Sequence, residues 1–233
     1  MVSRRETIDD FAETDKLFGC DEKSAGYQKL KERYQKGEKS PELLWRLARF
    51  SHEKATNMAK DGRLTMINEG LKYAEEGVAK EPTNFNCIKW NAILLGLSLQ
   101  NLPIKQRVEQ SKKFKALLDK AIGIQPTDTS LLHLRGRYKY SVASLTWLER
   151  KVASAFFGTP PTHTFGEALE DFMLAHKVQP KWIENQMYIA KCGIAIKNKD
   201  ISRKYLKDVI DGDATSDSDT EYQAEAKQLL SKL

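Results

Sequence analysis

A chain of 233 residues, 30% charged and 40% hydrophobic, carries enough apolar material for a large core and too much for a disordered segment. Its strongest apolar run, Ala92 to Leu99, falls far short of the ~20 residues of a membrane span, and the acidic sequence after Met1-Val2-Ser3-Arg4-Arg5-Glu6 offers no apolar signal region, which speaks against secretion. The formal charge of +6 is segregated: residues 1–24 net −3, residues 208–233 net −5, and residues 25–207, with 32 basic and 18 acidic side chains, net +14. A basic body between acidic ends suits an acidic partner, although lysine-rich helical surfaces also serve solubility alone.

In chain order the periodicity predicts helices near 7–18, 22–36, 41–60, 64–80, 84–101, 104–124, 129–156, 164–178, 181–197, 200–211 and 218–232. Ser40-Pro41-Glu42 reads as an N-cap followed by proline at the first helical position. Thr83 and Thr129 are candidate caps, and Thr164-Phe165-Gly166-Glu167 and Ser218-Asp219-Thr220-Glu221 fit a capping box. From Ser130 to Phe156 the apolar stripe through Val142, Leu145, Leu148, Val152 and Phe156 predicts one helix roughly 40 Å long, projecting past its neighbours and leaving at Gly158-Thr159-Pro160-Pro161. No segment alternates as a strand does. Cys20, Cys87 and Cys192, odd in number and far apart, read as reduced thiols.

Three of the segments repeat. Counting back 12, 8 and 5 residues from Pro82, Pro126 and Pro180 gives Gly70, Ala74 and Gly77; Phe114, Leu118 and Ala121; and Ala168, Phe172 and Ala175. The tetratricopeptide pattern places Ala, Phe, Ala and Pro at these points. Small residues on one helical face let paired helices approach, and the proline stops the second helix. The expected fold is therefore all-α: a single tetratricopeptide-like α-solenoid domain over 1–233. Its antiparallel pairs lie near 7–36, 41–80, 84–124, 129–178 and 181–211. One helix is unusually long, and a C-terminal helix at 218–232 caps the stack with Tyr222, Ala226, Leu229, Leu230 and Leu233 on one side.

Several segments match a known family: Leu44-Trp45-Arg46-Leu47-Ala48-Arg49, Glu81-Pro82-Thr83-Asn84, His133-Leu134-Arg135-Gly136-Arg137 and, most specifically, Leu145-Thr146-Trp147-Leu148-Glu149-Arg150-Lys151-Val152-Ala153 with Phe157-Gly158-Thr159-Pro160-Pro161. With Ala168-Leu169 through Pro180 and Ala190-Lys191-Cys192, the chain from about Phe11 to Leu206 resembles the regulator of microtubule dynamics family. The resemblance implies a tetratricopeptide-like domain, cytosolic association with microtubules and spindle poles, and a role in chromosome segregation. Some members carry an N-terminal membrane anchor and sit at organelle contacts, where the repeat domain is linked to lipid binding; no anchor is seen in this sequence, which favours the microtubule role.

The candidate partner-binding residues form three groups. Lys105, Arg107, Lys112, Lys113, Lys115 and Lys120, opposed by Glu109 and Asp119, make a basic helix suited to acidic tubulin or to plain solvation. Arg135, Arg137 and Lys139, with Arg46 and Arg49 earlier, lie on first helices that line a groove; they either clamp carboxylates of a ligand or pair internally with acids such as Glu53. Arg150 and Lys151 extend the basic surface beside Trp147, itself expected in the core, and Glu149, expected to pair with an arginine. The acidic loop Asp211 to Asp219 with Thr220 reads as a linker open to phosphorylation, and it lacks the EF-hand spacing for calcium. His52, His133, His163 and His176 show no ligand spacing, and no phosphate loop or nucleophile motif occurs, so no enzyme, cofactor or metal site is expected. Nor are the basic residues set on a recognised nucleic-acid fold. The expected function is non-enzymatic microtubule binding, with a lipid-binding module or a peptide adaptor as alternatives.

Overall fold

The computed structural model describes residues 11–18, 23–157, 159 and 161–233. Cys20, the first residues of the helix expected from position 7, and Gly158 and Pro160 of the expected exit turn lie outside them. Every regular element among the described residues is helical. The chain divides into two compact units, Met1–Ser98 and Leu99–Leu233. The first holds α1 (Ala12–Phe18), α2 (Lys23–Gln35), α3 (Pro41–Thr56), α4 (Lys60–Lys80) and α5 (Phe85–Ser98). The second opens with a 3-10 turn (Leu99–Asn101). It continues through α6 (Ile104–Ile124), α7 (Thr129–Ala143), α8 (Trp147–Phe157), α9 (Phe165–Val178), α10 (Ile183–Ala195), α11 (Lys199–Asp211) and α12 (Asp217–Leu230). No helix among the described residues is long and apolar enough to cross a membrane.

The three prolines end their helices in one geometry. Glu81, Gln125 and Gln179 leave α4, α6 and α9 at φ,ψ of −137°,86°, −133°,88° and −126°,76°. Each cap amide donates, at 3.0 Å, to the carbonyl of the small residue four back: Gly77, Ala121 or Ala175. The proline ring clashes with a helical preceding residue and so holds each cap extended. The small positions do what the repeat requires. Ala74, Ala121, Ala168 and Ala175 are fully buried. A methyl group at Gly70 would lie 2.7 Å from Cβ of Ser51 on α3, and one at Gly136 of α7 would lie 2.7 Å from the buried Phe172 ring on α9.

The core of the first unit gathers Leu30, Leu43, Leu44, Leu47, Phe50 and Leu94, all essentially inaccessible. That of the second gathers Phe172, Met187, Ile189, Leu206 and Val209, and α12 closes it: Ala226 is buried, and Tyr222, Leu229, Leu230 and Leu233 pack against it.

Two of the five expected caps form as the sequence predicts. Ser40 accepts from the Leu43 amide ahead of Pro41, and Thr164 with Glu167 forms the full capping box. Three caps differ. Asn84 and Asp128, not Thr83 and Thr129, accept from the Cys87 and Leu131 amides at 3.1 and 3.0 Å, in keeping with the stronger capping of Asn and Asp over Thr. Ser216 caps α12 by accepting from the Asp219 amide, and the Asp219 carboxylate accepts from the Thr215 amide, so the expected box at Ser218 and Glu221 lies inside the helix.

The long helix over 129–156 does not form. α7 ends at Ala143, and Thr146 begins α8: its amide donates to Glu149 Oε2 at 2.8 Å, while the Glu149 amide donates to Thr146 Oγ1 at 3.3 Å. This reciprocal pair is a capping box, Thr-x-x-Glu, hidden in a continuous apolar stripe. α8 then packs against α6 instead of projecting.

Gly136→Ala should destabilise the second unit by about 1–3 kcal/mol, because the added methyl meets a ring with no room to move. Chemical denaturation measures this, and pairing the change with Phe172→Leu should recover part of the loss.

Candidate functional site

α6 and α8 run alongside one another. Arg107 Nη2 meets Glu149 Oε1 at 2.5 Å, and one helical stretch further on the Lys112 ammonium donates to the Phe156 carbonyl. Arg150, at the other flank of α8, reaches the Val142 and Ala143 carbonyls at the end of α7, at 3.4 Å each. Glu149 is thus held three ways. The Thr146 amide and hydroxyl, and then Arg107, keep its carboxyl below the usual carboxylate range. α8 is thereby fixed with Glu149, Arg150, Val152, Ala153 and Phe156 toward its neighbours and Trp147, Leu148, Lys151, Ser154 and Ala155 toward solvent.

Trp147, expected in the core, is 69% exposed, and Leu148 is 63% exposed. The reason is the helix start at Thr146: it ends the α7 stripe and turns the next two side chains outward. The Lys151 ammonium stands 4.1 Å from the Trp147 ring centre, a cation–π contact that leaves the outer ring face open. Lys105, Lys112, Lys113 and Lys120 are exposed on α6, and Lys115 pairs with Asp119 at 2.6 Å one turn on. The structure therefore packs against each other the two helices that carry Lys105 to Lys120 and Arg150 with Lys151. Arg107, Lys112 and Arg150 brace α8, while Lys105, Lys113, Lys120 and Lys151 are exposed.

The groove cations serve a different purpose. Arg135 makes a fork with Asp171, at 2.9 and 2.6 Å, and Lys139 meets the same carboxylate at 2.8 Å; Asp171 is 2% exposed. Arg137 meets Glu184 at 2.8 Å, and Tyr222 donates to the same Glu184 oxygen at 3.0 Å, linking α7, α10 and α12. Burial works to raise the Glu184 pKa. The adjacent Arg137 charge, His133 and the Tyr222 hydroxyl outweigh it and hold the carboxyl well below its ordinary range. In the first unit Arg46 and Arg49 converge on Asp15, at 2.8 and 2.5 Å. These arginines are internal clamps, the second of the two readings their sequence allowed. Asp15, Asp171 and Glu184 are the residues sequence reasoning missed; each sits on a different helix from its partner, so no local spacing announces it.

Cys87 and Cys192 are buried free thiols, and burial pushes both pKa values up to about 12, which suits inert core packing. In the acidic loop, Gln223 donates to the Gly212 carbonyl at 2.7 Å and ties the turn to α12. No group of three His, Cys, Asp or Glu side chains converges as a metal site among the described residues.

Thr146→Ala should cost about 1 kcal/mol and loosen α8. Hydrogen exchange is expected to rise in residues 147–157 and to stay unchanged in α9. Glu184→Gln should lower stability by roughly 2–3 kcal/mol at neutral pH by leaving Arg137 without its charge partner. Because the folded-state pKa is depressed, that stabilisation is complete above the unfolded carboxylate pKa of about 4.3 and fades as pH falls below it. The wild-type advantage in thermal unfolding should therefore shrink between neutral pH and about pH 3.

Comparison with known proteins agrees with this architecture. The profile of the family described as regulator of microtubule dynamics protein 1-3 matches residues 10–233. Regulator of microtubule dynamics protein 1 of Caenorhabditis elegans is 40% identical over 97% of this chain and 100% of that protein. The Bos taurus protein 1 is 32% identical over 94% of this chain and 69% of its own length, and the Xenopus laevis protein 3 is 35% identical over 81% and 41%. Among solved structures, TTC0263, a thermophilic tetratricopeptide protein of Thermus thermophilus, superposes with a TM-score of 0.59 at 13% identity, covering 92% of this chain and 95% of that one. The fold is all-α and tetratricopeptide-like, and the chain belongs to the regulator of microtubule dynamics family.

Proposed function

We propose that this protein is a non-enzymatic microtubule-associated factor that binds tubulin through the α6–α8 surface and acts in microtubule dynamics, spindle function and chromosome segregation. On this reading it resides in the cytoplasm, on microtubules, the spindle and its poles. The observation that carries the proposal is the outward set of cations on two braced helices. Lys105, Lys112, Lys113 and Lys151 are exposed on α6 and α8, and the groove arginines lie against Asp15, Asp171 and Glu184. Family membership supplies the partner class, and the acidic outer surface of tubulin supplies the complementary charge.

Exposed pairs are worth little singly, roughly 0.2–1 kcal/mol, so the affinity comes from several acting together and is screened by salt. Reversing three outward lysines, Lys105→Glu, Lys113→Glu and Lys151→Glu, should weaken co-sedimentation with stabilised microtubules about tenfold or more at low salt. Arg135→Ala should affect stability and leave binding by the remaining folded protein intact. Absence of binding by the wild-type chain at low salt, or binding indifferent to the triple reversal, would refute the α6–α8 assignment.

A further inference from the structure

α8 is not needed to complete a helix pair: α7 packs on α9, and α8 is interposed between them in the chain. It nevertheless has its own capping box, an ion pair to α6 and hydrogen bonds from Lys112 and Arg150 at its flanks. What this bracing presents to water is Trp147 and Leu148, two of the six large hydrophobic side chains that stand exposed among the described residues, adjacent on one turn. The Trp147 ring carries the Lys151 ammonium over one face, and Leu148 stands beside it in water. Lys151, one turn along α8, stands over the Trp147 ring, and Lys105 is exposed at the start of the neighbouring α6.

We infer that Trp147 and Leu148 form an apolar anchor that enters a preformed apolar socket edged by carboxylates on a folded protein surface. The inference rests on the microtubule reading and narrows it. The part of the partner recognised is the folded body of tubulin, not its acidic tails alone. A flexible acidic tail satisfies lysines but cannot desolvate an indole; that takes a concave, already ordered surface. Rigid aromatic anchors ringed by polar groups are the usual energetic centre of protein interfaces. Charge complementarity selects an acidic rim, since an approaching surface meets the lysines before it meets the indole. Two components of affinity follow: a salt-sensitive one from the lysines and a salt-resistant one from the apolar step.

The test compares the wild-type chain, Trp147→Ala with Leu148→Ala, and the triple lysine reversal on intact and tail-stripped microtubules, from about 0.05 to 0.3 M salt. Both substituted side chains are largely solvent-exposed, so the double variant should unfold at the wild-type temperature. The wild-type chain is expected to keep residual binding at high salt and on stripped microtubules. The double variant should lose that residue, about tenfold or more, with its salt dependence otherwise unchanged. Wild-type binding with the double variant indistinguishable from it on both polymers overturns the anchor and leaves the basic-surface reading standing. Absence of wild-type binding overturns both. In a parallel arm, vesicles containing anionic phospholipid should bind the double variant and the wild-type chain alike. Tryptophan-dependent vesicle binding, with microtubule binding unaffected by the substitution, assigns the anchor to a membrane and overturns the protein socket. If the double variant fails to fold, quenching of indole fluorescence by iodide on the wild-type chain decides: microtubules should shield an exposed tryptophan that the free chain leaves accessible, and unaltered quenching overturns the anchor.

Discussion

Two helices pack closely only where one of them offers almost no side chain, and this chain meets that requirement at fixed distances from a proline. Gly70 against Ser51 and Gly77 against Cys87 leave no space for a methyl group without displacement, and on a first helix Gly136 does the same against Phe172. Gly77 and its counterparts in the other repeats, Ala121 and Ala175, also accept the cap amides of Glu81, Gln125 and Gln179, so one position both admits the neighbour and ends the helix. The proline makes that ending abrupt by holding the cap residue extended. Helix length, pair spacing and the turn to the next element all derive from this arrangement.

Close packing has an electrostatic consequence. A long cationic side chain on a first helix is trapped among its neighbours, and a trapped cation needs a carboxylate. Arg135 and Lys139 share Asp171, Arg137 takes Glu184, and Arg46 and Arg49 share Asp15. Each of these acids comes from another helix, so the pairs fix which helices are neighbours as well as neutralising charge. The Arg46 guanidinium also lies 4.4 Å from the Phe11 ring and 4.2 Å from the Trp45 ring, so apolar faces and carboxylate together replace its water.

The repeat was legible in the sequence because it is written in local spacings: four and three residues between small or aromatic positions, then proline. Ser40 with Pro41, and Thr164 with Glu167, were legible for the same reason. The break at Ser144 to Thr146 was obscured because Val142, Leu145, Leu148, Val152 and Phe156 keep one helical stripe across it. Periodicity reports which residues are apolar, not which of them a neighbouring helix will cover. Thr146-Trp147-Leu148-Glu149 did carry the signal, and a capping box read against the stripe would have placed both the helix start and the outward turn of Trp147. The carboxylate partners were illegible for a different reason. Asp15, Asp171 and Glu184 lie 31, 36 and 47 residues from Arg46, Arg135 and Arg137, and only packing brings them together.

The total charge of the chain therefore gives a poor account of its surface. A net charge of +6 includes guanidinium groups bound to buried or half-buried acids, and these add nothing to the field a partner meets. Some of the outward lysines stand where the fold departs from simple repetition, on the long α6 and on the interposed α8. A regular repeat would have exposed the end of α7 there; the inserted helix instead supplies a braced platform with an indole and a leucine at its first turn. Lys112 shows how the two roles meet, since its ammonium caps the last turn of α8 through the Phe156 carbonyl while its stem stays on the exposed face of α6. Charge, bracing and apolar contact thus coincide on the one element that the repeat itself does not need.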